Sequence, residues 1–83
     1  MESFKSAFEI IADEHRVALL LLRSDLMNSI VDEINAKGMT QVEAAKVMDV
    51  TQPRVSNLCA GRISRFSFDL LYVMNSKILK AAQ

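Results

Sequence analysis

Apolar residues recur every three or four positions along most of this chain, which is the period of a helix face and not the alternation of a strand. Phe4, Phe8 and Ile11 form the first such run; with Ser3 as its cap, it predicts a short helix over 3–12. Asp13 is a good amino-terminal cap for a second helix, and Glu14 is well placed against its dipole. Leu19, Leu22, Leu26, Ile30 and Ile34 then step along one face, predicting one long helix over 14–37 or two collinear ones broken at Ser24-Asp25. Gly38 suits the left-handed residue just past a helix end. Farther on, Ser67 caps a last helix in which Phe68, Leu70, Leu71, Val73, Met74 and Ile78 form a broad apolar stripe running toward Lys80.

Between these lie two short helices and a tight turn. Thr40-Gln41-Val42-Glu43 reads as a capping box, so a helix starts there. It ends near Met48, because Asp49 tolerates a left-handed turn and Val50 is a buriable plug. Thr51 caps the next helix, with Pro53 in its first turn and Gly61 just past its end, which gives a span of about 52–60. Ala45 supplies the small residue that two crossing helices need where their backbones approach. Ala44, Met48, Val50, Val55 and Leu58 are the faces that lock the pair to the rest. The other face of the second helix carries Gln52, Arg54, Ser56 and Asn57, with Thr51 at its start. Such groups suit base edges, Gln or Asn pairing with adenine and Arg with guanine. The arrangement predicted over 40–60 is a helix-turn-helix, whose second helix enters the major groove of duplex DNA.

The run from Thr40 to Leu58, followed by Gly61-Arg62-Ile63 and by Phe66-Ser67-Phe68-Asp69-Leu70-Leu71, resembles the phage-repressor (Cro/cI, or xenobiotic-response-element, XRE) helix-turn-helix family. Within it the pattern is most similar to small HigA-like antitoxins and prophage transcriptional regulators, over roughly residues 24–80. The resemblance implies an all-α, five-helix lambda-repressor-like domain. It implies a phosphate contact from Gln41, and DNA contacts from Thr51, Gln52, Arg54, Ser56 and Asn57, with Gln52 the first choice of base reader. It makes Arg62 and Arg65 phosphate ligands, assisted by Ser64. Cys59 falls at a position that faces the core in this family. One departure stands out: the family usually has glycine where this chain has Asp49, so the turn is expected intact but somewhat strained.

Composition narrows the picture further. Eighty-three residues, 51% hydrophobic and 24% charged with two Gly and one Pro, make one domain over 1–83, with residues 1–23 as a helical extension. The net charge of zero hides a division. Residues 1–45 hold four basic and eight acidic groups, whereas residues 46–83 hold six basic and two acidic, so the halves carry −4 and +4. The positive field falls on the half with the helix-turn-helix, where it attracts phosphates. His15 is the only histidine and Cys59 the only cysteine, which excludes a metal cluster, a histidine-based triad and an internal disulfide. No pair of carboxylates is placed across a cleft, so an enzyme is not expected, nor a cofactor. The longest apolar run, residues 17–22, is too short to cross a membrane, and without a leader peptide the expected location is the cytoplasm.

That run, Val17-Ala18-Leu19-Leu20-Leu21-Leu22, is apolar all round a helix and exceeds what one small core can take. The first helix folding back is one cover, a second copy of the chain another, and a protein toxin a third. A homodimer is the expected state, since it offers two recognition helices to an inverted repeat. The functional expectation is a sequence-specific transcriptional repressor; the alternative is an antitoxin that neutralises a toxin and autoregulates its operon.

Overall fold

The computed structural model describes the backbone of residues 2–81 and the side chains of residues 14–81. It contains four α-helices and one short 3-10 turn: α1 Glu2–Ala36, α2 Gln41–Met48, α3 Gln52–Cys59, the turn Ile63–Arg65, and α4 Phe68–Lys80. The expected five-helix count is therefore corrected to four, because the helices expected over 3–12 and 14–37 are one. Neither the cap at Asp13 nor the break at Ser24-Asp25 forms. The reason is local: no Gly or Pro interrupts residues 2–36, and a polar residue that caps well is still tolerated inside a helix.

The carboxyl-terminal half of α1 lies against α4, α3 and the 3-10 turn, and α2 bridges α3 and α4. The core is Met27, Ile30 and Ile34 of α1, Ala44, Ala45 and Met48 of α2, Val55 and Leu58 of α3, Phe66, and Leu71, Met74 and Ile78 of α4. Val50 packs on its edge as the expected plug. Two expectations for the apolar faces are corrected. Val73 is exposed, on the outer side of α4, and Leu19 and Leu22 are exposed, because α1 runs out of the bundle before reaching them. A 35-residue helix is about 52 Å long, which accounts for most of the molecule's 57 Å long axis against 21 and 17 Å across. The apolar stripe continues past the point where the core stops. The side chains of Phe4, Phe8 and Ile11 lie outside the described residues.

Among the described residues, three polar ties hold α1 and the residue that follows it to the rest. Arg23 Nη1 donates to the Phe66 carbonyl at 3.3 Å, and Ser29 Oγ meets Asn75 Oδ1 at 2.9 Å. Lys37 Nζ donates to the Ile78 carbonyl in the last turn of α4 and pairs with Glu33 at 3.3 Å. Just beyond α1, Gly38 is left-handed with φ 63°, and the Met39 amide donates back to the Ile34 carbonyl at 3.0 Å, closing the helix end.

Candidate nucleic-acid interface

The capping box at α2 is complete. The Glu43 amide donates to Thr40 Oγ1 at 3.1 Å and the Thr40 amide donates to Glu43 Oε1 at 3.2 Å. At its far end Asp49 takes φ 57°, ψ 48°, the one left-handed non-glycine among the described residues. The Val50 amide returns to the Ala45 carbonyl at 3.0 Å, and Thr51 caps α3 by accepting from the Arg54 amide at 3.4 Å. This turn swings α3 so that Val55 and Leu58 close onto the core and Pro53, Ser56 and Ala60 stand exposed on the outer side.

Gln52, Arg54 and Ser56 are exposed on α3, and Thr51 is exposed at its start. Gln41 is half-buried as the first residue of α2. Arg62 and Arg65 flank the 3-10 turn, both exposed, and Ser64 between them is exposed too. A shallow groove of about 420 Å³ runs between α3 and this turn, lined by Thr51, Pro53, Arg54, Asn57, Arg65 and the buried Phe66. Four of the eight candidate residues thus share one depression, with two guanidinium groups and no carboxylate in its lining. Gln52, Ser56, Arg62 and Gln41 lie outside it.

The 3-10 turn, which brings Arg65 to the groove, was not legible in the sequence pattern. Nor was the tie from Arg62 Nη1 to Asn57 Oδ1 at 3.1 Å, which engages the Asn57 carbonyl oxygen and braces an arginine beyond the helix. Among the described residues Arg54, Arg62, Arg65 and Lys46 make no salt bridge, so their charge is open to solvent. Lys77 does pair with Asp49, at 3.8 Å, across the turn.

Cys59 corrects an expectation: it is exposed and not turned to the core. It stands at the rim of a depression formed with Ser24, Met27, Asn28, Val31, Leu58 and Gly61. The partial burial there pushes the thiol pKa up, which disfavours the thiolate a nucleophile needs. No helix among the described residues is long and apolar enough to cross a membrane. No three His, Cys, Asp or Glu side chains among them are grouped to hold a metal ion.

A family model described as a helix-turn-helix domain matches residues 10–78, most of the chain. The chain belongs to this helix-turn-helix family. It is an XRE-like family, and membership makes DNA the expected partner. The match reaches upstream of the resemblance read over 24–80, to a residue well inside the projecting part of α1. Neither a search of curated proteins nor one of solved structures yields a match.

Proposed function

We propose that this helix-turn-helix protein is a sequence-specific transcriptional regulator, a repressor that occupies an inverted-repeat operator as a homodimer, akin to the small prophage and HigA-like regulators. In this reading residues 1–23 are a helical extension of one DNA-binding domain. The observation that carries the reading is the groove beside α3, where Arg54 and Arg65 converge with Thr51 and Asn57 and no carboxylate intrudes. Gln52 reads a base from the exposed start of α3, with Arg54, Ser56 and Asn57 beside it. Arg62, Arg65 and Gln41 contact phosphates, which fix register without reading sequence. Thr51 contacts DNA from the start of α3, which it also caps.

Selection from random duplexes, followed by a salt titration on the selected site, tests this. Affinity should fall with a log–log slope of about −0.9 for each phosphate neutralised. No binding to any duplex at low salt would end the proposal. The second reading, an antitoxin that also autoregulates, draws on the uncovered apolar residues 17–22. A neighbouring toxin gene whose growth arrest this chain relieves would support it.

A further inference from the structure

Acceptors at the groove beside α3 are already taken by the chain itself. Thr51 Oγ1 accepts from the Arg54 amide at 3.4 Å, the Phe66 carbonyl from Arg23 Nη1 at 3.3 Å, and Asn57 Oδ1 from Arg62 Nη1 at 3.1 Å. Left over are donors: the Arg54 and Arg65 guanidinium groups and the Asn57 NH2 group. The amide is the informative one, because a phosphate accepts from any arginine, whereas a base edge distinguishes a donor from an acceptor.

The tie to Asn57 is built into the end of α3. Gly61 takes φ 75°, its amide donates to the Leu58 carbonyl at 3.0 Å, and the Arg62 amide donates to the Asn57 carbonyl at 3.1 Å. This left-handed helix end folds the chain back, so that Arg62 is held beside Asn57 by its backbone as well as by its guanidinium. An arginine has no acceptor, so the amide turns its oxygen to Arg62 and its NH2 group away. Asn57 lines the groove and Arg62 does not, which sets the NH2 group on the groove side.

An unrestrained asparagine amide pairs with adenine, its oxygen accepting from N6 while its NH2 group donates to N7. With the oxygen held by a cation, only the donating half is left. Guanine offers that half two acceptors, N7 and O6, where thymine offers one beside a methyl group. We propose that Arg62 is a positioning residue that makes Asn57 a guanine reader, fixing its amide as a donor and excluding adenine at the base it contacts. The proposal rests on the DNA-binding reading of α3 given above and adds to it the base that one side chain selects. Arg62 keeps further N–H groups for a phosphate.

On an operator selected from random duplexes with the full chain, the base that Asn57 contacts is the position whose preference vanishes in Asn57→Ala. There the wild-type chain should favour guanine over adenine by ~10-fold. Arg62→Met, its folding checked by circular dichroism, should bring this ratio to about 1 or invert it while preferences elsewhere in the site persist. Arg62→Lys, which keeps a cationic donor, should restore part of it. A residue that only held a phosphate, or only the helix end, would weaken all sequences alike and leave the ratio unchanged. With the wild-type chain alone, 7-deazaguanine at that position, which lacks the N7 acceptor, should weaken binding by ~5-fold. Four results overturn the proposal: adenine favoured by the wild-type chain at that position, no position relaxed by Asn57→Ala, an unchanged ratio in Arg62→Met, or indifference to 7-deazaguanine. In each of them the wild-type chain still binds its operator and the DNA-binding reading stands, whereas a chain that selects no duplex at all defeats both.

Discussion

Lys37 is the polar residue on which the joint between α1 and α4 depends most, and replacing it with methionine isolates its charge from its packing. Its side chain is only 9% exposed, and its ammonium donates to the Ile78 carbonyl, one of the carbonyls near the end of α4. It also follows directly on the last residue of α1, so it stands at the negative ends of two helix dipoles. A charge-assisted hydrogen bond of this kind contributes about 1.5–3 kcal/mol. The dipoles add roughly 0.3–1 kcal/mol each, and the pair with the one-third exposed Glu33 adds less than about 1 kcal/mol. The hydrogen-bond figure is already net of the ammonium's lost hydration. Methionine keeps the aliphatic stem and removes these gains, leaving a net loss of about 2 kcal/mol. For a chain of this length that lowers Tm by roughly 8–16 °C. Urea denaturation followed by circular dichroism, at one fixed chain concentration, measures it. Lys77→Met is the control, since that lysine is exposed and should change stability by no more than about 0.5 kcal/mol. If Lys37→Met is no worse than the control, the contact with Ile78 contributes nothing and the reasoning fails.

Four further outcomes are expected. Asp49→Gly should leave the fold intact or stabilise it by about 0.5 kcal/mol, relieving the left-handed backbone, whereas Asp49→Val should lose about 2 kcal/mol; equal stabilities in urea would show that φ 57° carries no strain. Gln52→Ala should lose about 1–3 kcal/mol on the selected operator and little on random DNA, and equal loss on both would make Gln52 a backbone contact. Arg65→Gln should weaken binding to all sequences and flatten the salt dependence by about 0.9 for each phosphate lost, measured by titration; an unchanged slope would remove Arg65 from the phosphate set. The raised Cys59 pKa places the midpoint of its alkylation rate at higher pH than that of an unstructured cysteine peptide, and a lower midpoint would show the thiol activated instead.

The helix-turn-helix was legible because its signals are local. Thr40 with Glu43, Thr51 and Ser67 each satisfy backbone donors within four residues of themselves, and such caps appear in the sequence as fixed spacings. Asp49 in a left-handed turn and the burial of Ala44, Ala45, Met48, Val55 and Leu58 follow from the same short-range pattern. What the sequence left open turns on where the chain meets itself at long range. Arg23 reaches Phe66, Lys37 reaches Ile78 and Ser29 reaches Asn75 across more than forty residues, and no periodicity encodes such pairings. The same holds for Arg65, carried to the groove by a 3-10 turn too short to leave a pattern. It holds most of all for α1. An apolar stripe records that a helix face seeks cover but not which neighbour supplies it, so Leu19 and Ile34 look alike in sequence. Only the length of α4 and the position of the 3-10 turn decide that the bundle covers Ile30 and Ile34 and leaves Leu19 and Leu22 to solvent.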